Sequence, residues 1–327
     1  MKTQELINSV TKLIQMNVVP LIVGSPGIGK TQIIEGIAKE LEWQYEIVIP
    51  SMMNPTDLSG LPFRVNDKQA DFLPYGLSYR ILNATDNLLI VIDDLIQSTP
   101  LMQAALMQLI EARIVGGKRI PDCVRFVSLT NSASHGAGGT KILEPLKGRT
   151  CIIQLDVDPK QWIKWGIESG RIEKEILFYI QTYPESLVDF AVCKDIANTP
   201  SPRNWERLSK LLSNGLTNTE LFEGCIGGKE ATRFASFLLT ITNLKGVIPQ
   251  ILKDPYNAPL FNQNDELDKV YALGLALAHN ANKENISNIY TYLNRMGGEA
   301  LEFILATIIQ FHPELKETET YANYICV

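Results

Sequence analysis

An α/β unit built on a parallel sheet, followed by an all-helical half, is the fold that the sequence predicts. Three observations predict it. Short, mainly apolar runs recur in the first half, at residues 18–23, 45–49, 88–92, 124–129 and 151–155. Segments with apolar residues at helical spacing separate them. After Asp156 the strand runs stop and only helical periodicity continues. Short apolar strands between helical segments are the mark of a parallel sheet covered on both faces.

The elements follow in order. Leu6, Val10, Leu13 and Ile14 share one face of a first amphipathic helix. The run at 18–23 ends in a glycine-rich turn, and residues 31–41 resume helical spacing through Ile33, Ile34, Ile37, Ala38 and Leu41. Residues 51–87 are rich in Pro, Gly, Asn and Asp and read as a long irregular insertion. Phe63, Phe72 and Tyr75 within it are expected to form a small local core; a grip on a substrate chain is the alternative. Thr99-Pro100 opens a helix through about Glu111, with Thr as cap and Pro at the first helical position. Residues 113–120, with Gly116-Gly117 at the centre, read as a hairpin. In the second half, Asp158-Pro159 opens a helix ending at Gly170, and Ser201-Pro202 opens another. Thr217-x-x-Glu220 has the capping-box form. Residues 268–278, 287–296 and 299–311 are three more helices. The chain of 327 residues suits two domains, here 1–157, with the insertion 51–87, and 158–327.

Composition narrows the class. Apolar residues make up 45% and charged residues 20%, as in ordinary globular proteins. A net charge of −6 with no long basic stretch gives a nucleic-acid role no support. The five cysteines, Cys123, Cys151, Cys193, Cys225 and Cys326, are scattered and form no CxxC pair, which points to free thiols rather than a disulfide framework or zinc site. His135, His279 and His312 have no partner at metal-ligand spacing. Neither a signal peptide nor a membrane span is legible, so the expected location is cytoplasmic.

The chemistry lies at the strand ends. Gly24-Ser25-Pro26-Gly27-Ile28-Gly29-Lys30-Thr31 fits G-x-x-x-x-G-K-[ST] between a strand and a helix. Glycines let main-chain N–H groups surround a phosphate chain, and the next helix presents its positive end to the same anion. Lys30 is placed to reach the β- and γ-phosphates, and the Thr31 hydroxyl to bind Mg²⁺. The pattern thus suits the phosphate chain of a nucleotide with Mg²⁺. Leu88-Leu89-Ile90-Val91-Ile92 ends in Asp93-Asp94, two carboxylates at the sheet end where ligands bind. Asp93 is expected to hold the metal and Asp94 to orient or deprotonate the attacking water. Asn131 closes the run from Val124; it positions that water or simply begins a turn. Arg149 and Arg203 are candidate partners for phosphoryl charge, or solvated surface residues.

These positions, in this order, resemble the AAA+ superfamily and, within it, the MoxR branch. Asn54-Pro55-Thr56-Asp57-Leu58-Ser59-Gly60-Leu61-Pro62, Gln103-Ala104-Ala105-Leu106-Met107-Gln108-Leu109-Ile110, Gly116-Gly117-Lys118-Arg119-Ile120-Pro121 and Ser201-Pro202-Arg203-Asn204-Trp205 carry the likeness to that branch. The resemblance implies a P-loop NTPase core with a five-stranded sheet in order 5-1-4-3-2, an all-α lid and a helical C-terminal region. It implies residues 24–31 as Walker A, Asp93-Asp94 as Walker B, Asn131 as sensor 1, Arg203 as sensor 2 and Arg149 as arginine finger. It further implies a ring, commonly a hexamer, that hydrolyses ATP to remodel a protein client such as one with a von Willebrand factor A domain. Nucleic-acid-directed ATPase activity and a slow-turnover ATP-gated scaffold are the alternatives. Asp94 departs from the family's usual Glu, and Lys147-Gly148-Arg149-Thr150 departs from its usual Arg-Phe ending.

Overall fold

In a computed structural model, the chain is described over residues 1–132, 142–189, 196–244, 246–261, 267–319 and 321–322. His135 and most of the Ser/Gly-rich loop around it, Cys193 and Cys326 lie outside the described residues. Two compact units result, Met1–Asp158 and Pro159–Val327, and each is described by itself.

The described residues of the first unit form nine strands: β1 (Pro20–Gly24), β2 (Gln44–Val48), β3 (Leu61–Asn66), β4 (Gln69–Leu73), β5 (Leu88–Ile92), β6 (Ile114–Val115), β7 (Lys118–Arg119), β8 (Val124–Asn131) and β9 (Cys151–Gln154). Its helices are α1 (Thr3–Gln15), α2 (Lys30–Glu40), α3 (Pro55–Ser59), α4 (Gly76–Leu82), α5 (Pro100–Met107) and α6 (Glu144–Lys147). Five strands form one parallel sheet in the order β2-β5-β8-β1-β9. Counted along the chain as five, and read from the other edge, that is 5-1-4-3-2, the expected order.

Period-two alternation explains why β5 is wholly apolar. Leu88, Ile90 and Ile92 join Leu21, Val124 and Phe126 in a core completed by Leu77 and Ile81 of α4 and Met102 and Leu106 of α5. Leu89 and Val91 point the other way, into a core with Ile22, Val127 and Leu129. There Leu6, Val10 and Ile14 of α1 and Ile34, Ile37 and Ala38 of α2 close the layer. Alternate residues of a central strand thus meet different helical layers, and both faces are mainly apolar, with Ser128 and Thr130 of β8 as buried polar exceptions.

The insertion is more regular than its composition suggests. Pro55 opens α3, where the Asn54 N–H donates to Asp57 Oδ2 at 2.8 Å. A β3–β4 hairpin and α4 follow. The expectation of a local aromatic core does not hold. Phe63 and Phe72 are each 40% exposed, because two strands standing alone have no second layer to bury them. Only Tyr75 is half-buried, its hydroxyl hydrogen-bonded to Asp57, and that bond holds its ionisation above the usual phenol range.

Helix α5 is capped as expected, Thr99 accepting from the Met102 N–H, but ends at Met107. Its expected last turn is π-helical, Gln108–Ala112, and stops at Arg113 in the left-handed region, φ 55°. The β6–β7 hairpin turns at Gly116 and Gly117, φ 52° and 77°, the doubly positive pair of a tight hairpin. A Cβ at Gly116 would lie 2.5 Å from the Ser59 carbonyl oxygen.

The second unit is all-helical: α7 (Pro159–Ser169), α8 (Lys174–Thr182), α9 (Pro202–Ser213), α10 (Thr219–Ile226), α11 (Gly228–Leu244), α12 (Ile248–Lys253), α13 (Leu267–Asn280), α14 (Ile286–Met296) and α15 (Gly298–Phe311). Ser201 caps α9 by accepting from the Asn204 N–H. Trp205 is fully buried, packs against Tyr179 and Phe234, and donates its indole N–H to the Ser186 carbonyl at 3.0 Å. At α10 the cap is Asn218, which accepts from the Glu220 N–H at 2.8 Å. This displaces the expected Thr217 by one residue, since Asn is the stronger cap.

Gly116→Ala and Gly117→Ala both force a side chain into the left-handed region, but only the first meets backbone, since a Cβ at Gly117 would have no non-neighbouring atom within 4 Å. Urea unfolding is expected to show the larger loss for Gly116→Ala, on the order of 1–3 kcal/mol. Equal losses would contradict this packing.

Candidate functional site

Strand order brings three loops to one end of the sheet. β1 ends at Gly24, β8 beside it at Asn131, and β5 beside β8 at Ile92, with Gly24 opposite Asn131 and Ile92 opposite Ser128 in register. The carboxyl ends of all three strands therefore open onto a common crevice, as in other open α/β sheets.

Gly24 begins the phosphate loop under tight constraint. A Cβ there would lie 2.7 Å from Ile28 Cδ1 and 3.2 Å from the Leu155 carbonyl oxygen, so a larger residue would have to displace both. Gly27 and Gly29 follow with φ 77° and 91°, and α2 starts at Lys30. Its first amides, which no helical carbonyl can satisfy, face the loop. The Lys30 side chain, only 8% exposed, folds back across that loop. Its Nζ donates to the carbonyls of Gly24 and Ser25, both at 2.9 Å, and to Asn131 Oδ1 at 2.8 Å.

Asn131 is the last residue of β8, not the first of a turn. Its Nδ2 donates to Asp94 Oδ1 at 2.8 Å. An ammonium only donates and a carboxylate only accepts, so the two bonds fix which way the amide faces. Asn131 thereby joins the loop lysine to the second carboxylate of the β5 pair. The first carboxylate is joined separately: Thr31 Oγ1 donates to Asp93 Oδ2 at 2.9 Å, and Asp93 Oδ1 accepts the Asp94 N–H at 2.9 Å. Asp94 itself has φ 54°, ψ 42°. Asp and Asn tolerate this left-handed backbone better than longer side chains do, which is a local reason for Asp at a position where the resembling family carries Glu.

The residues present fit a magnesium-bound triphosphate. Thr31 and Asp93 offer two oxygen donors within hydrogen-bond distance of each other, and Mg²⁺ is commonly bound by one or two carboxylates with substrate phosphates and water completing its shell. Among the described residues no group of three His, Cys, Asp or Glu side chains could hold a metal unaided.

Lys30, Thr31, Asp93, Asp94 and Asn131 thus come together. Arg149 does not join them. It lies on the turn after α6, two residues before β9, and Cys151 is level with Pro20 at the start of β1. Four residues of strand separate that level from Gly24, about 13 Å at the usual rise. Arg203 belongs to the second unit, exposed in the first turn of α9. The partner of Arg149, Glu111, was not foreseen; nothing in its spacing signals the pairing.

A P-loop nucleotide-binding domain is the class these features define. Residues 20–150, which hold the phosphate loop and β1 to β8, match the AAA domain of the dynein-related subfamily. No curated protein matches the chain. Among solved structures it is similar to the RuvB Holliday junction branch migration motor of Thermotoga maritima, at 16% identity over 90% of this chain and 87% of that one, with TM-score 0.42. It is also similar to NtrX from Brucella abortus, at 14% identity over 99% and 66%, with TM-score 0.41. Likeness at this level adds nothing to the assignment. No helix among the described residues is long and apolar enough to cross a membrane.

Asp94→Asn keeps both the backbone preference and an oxygen acceptor for Asn131, whereas Asp94→Glu loses the first. Thermal unfolding is expected to leave Asp94→Asn near the parent and to lower Asp94→Glu by about 1 kcal/mol. A Glu variant as stable as the parent would mean that φ 54° is not what selects Asp here.

Proposed function

We propose that the chain is an Mg·ATP-dependent ATPase of MoxR-like type, which hydrolyses ATP between subunits of a ring and uses the change to remodel or activate a protein client. The observation that carries this reading is the continuous set of bonds from Lys30 through Asn131 to Asp94, alongside Thr31–Asp93. It gathers loop, metal-side carboxylate and water-side carboxylate at one strand-end crevice.

In this reading the amides of residues 24–31 bind the phosphate chain, and Lys30 exchanges its carbonyl partners for β- and γ-phosphate oxygens. Thr31 and Asp93 would hold Mg²⁺, whose charge, when bound, offsets that developing on the phosphoryl oxygens. Asp94 accepts a hydrogen bond from the attacking water and orients it, while Asn131 holds the Asp94 carboxylate and reports through Lys30 on what the loop contains. Arg149, at the far end of β1 from its own phosphate loop, serves a neighbouring subunit's nucleotide. That division is why a ring is required; its size, a hexamer by family resemblance, and a client with a von Willebrand factor A domain belong to the same proposal. Arg203 acts as the lid's contact with the nucleotide. The acidic net charge of −6 favours a protein client over nucleic acid.

A second reading has its own support. The Asp94 carboxylate is one methylene shorter than a glutamate's and already bonded to Asn131, which suits slow turnover and a scaffold gated by bound ATP. Steady-state phosphate release separates the two: a sharp rise in Asp94→Glu favours the scaffold, a fall favours the motor.

Lys30→Ala is expected to abolish ATP binding or turnover, measured by calorimetry and phosphate release; a variant with parental values of both would remove the site. Arg149→Ala is expected to bind ATP normally yet lose turnover, and mixing it with Asp94→Asn subunits is expected to restore part of the rate. No recovery at any mixing ratio would argue against action in trans.

A further inference from the structure

The Arg149 guanidinium is anchored on two sides. Its Nε donates to Glu111 in an ion pair, and its Nη1 donates to the Pro145 carbonyl at 2.7 Å. Among the described residues nothing accepts from Nη2. The two anchors come from separate elements. Pro145 lies in α6, the short helix just before Arg149. Glu111 lies in the π-helical turn Gln108–Ala112 that continues α5. A π turn takes more residues than an α turn, so Glu111 stands at a different angle from the one a continued α-helix would give it.

A guanidinium is planar, and its N–H directions are fixed relative to one another. Holding Nε and Nη1 therefore fixes where Nη2 points. The Arg149 side chain is still 34% exposed, so part of it remains open to a partner. That is how an arginine destined for a partner's phosphate is prepared: its own chain fixes the stem and leaves one donor edge clear. The bland alternative is an exposed ion pair of no consequence, which is common. Two features set this one apart. The same guanidinium has a second, independent anchor, and the acid comes from a helix distortion rather than an ordinary helix face.

Resting on the trans role of Arg149 proposed above, we infer that Glu111 is a positioning residue for that arginine: it aims the guanidinium across the subunit interface and touches no nucleotide itself. The opposite sign, Glu111 as a restraint that withholds Arg149, would make loss of Glu111 activating.

The test uses the full chain as parent, Glu111→Ala, Glu111→Gln, Arg149→Ala and the Glu111→Ala/Arg149→Ala double variant. The main readouts are turnover at saturating Mg·ATP and assembly by sedimentation velocity with Mg²⁺ and a non-hydrolysable ATP analogue; ATP affinity and unfolding midpoints are the controls. Glu111→Ala is expected to lower turnover about tenfold to a hundredfold, the usual cost of a misaimed catalytic group, with ATP affinity unchanged. Glu111→Gln, which keeps an acceptor of the same shape, is expected to fall between. Assembly should weaken alike in Glu111→Ala, Arg149→Ala and the double variant, and the double should turn over no more slowly than Arg149→Ala, since coupled residues are not additive. Unfolding midpoints should barely move. Parental behaviour of Glu111→Ala beside a defective Arg149→Ala would overturn the inference, as would a rise in turnover or additive losses in the double variant. Parental behaviour of Arg149→Ala in both readouts would instead overturn the trans role, and the inference with it.

Discussion

The register between β1 and β8 is the constraint on which the rest of the site depends. Gly24 and Asn131 stand opposite each other, and from that one pairing the Lys30–Asn131–Asp94 chain follows. Side chains alternate along a strand, so slipping β8 by one residue would turn Asn131 to the other face and put a different side chain at the loop. The register is in turn held by burial on both faces. Phe126 points into one helical layer, Val127 and Leu129 into the other, and neither set can exchange places with its neighbours at no cost. Core and site are therefore one problem: the apolar residues that make β8 a central strand also decide where its terminal amide goes.

Much of this was legible in the chain. The phosphate loop, the carboxylate pair and the five strands are signalled by short local patterns, and each pattern has a local physical cause. A G-x-x-x-x-G-K-[ST] run requires positive φ and a missing Cβ, which only glycine supplies; an apolar run ending in carboxylates requires a buried strand that emerges into water. Sheet order was read from family likeness rather than from such patterns, because nothing in a strand's own sequence says which strand lies beside it.

What stayed hidden depended on side-chain contact between distant segments or on competition between near-equal local options. The Arg149–Glu111 pair joins residues 38 positions apart through a π turn that no spacing rule marks. The order within the insertion was masked by Pro, Gly, Asn and Asp, which are as much the material of caps and hairpin turns as of irregular chain. Phe63 and Phe72 looked like core because aromatic side chains usually are; a two-stranded ribbon offers them no second layer. At α10, Thr217 and Asn218 both suit the cap, and the better acceptor geometry of Asn decided by one residue.

The loop lysine is engaged before any anion arrives. Its ammonium is already met by two main-chain carbonyls and an amide oxygen in a nearly water-free setting. A polyanion arriving there swaps partners with Lys30 instead of rescuing a bare charge. The heat released is the difference between two sets of contacts, so most of the enthalpy of docking should come from elsewhere along the phosphate chain. The same prior engagement keeps a cation inside the fold at little cost when no anion is near, letting the domain hold its shape through every stage of a cycle.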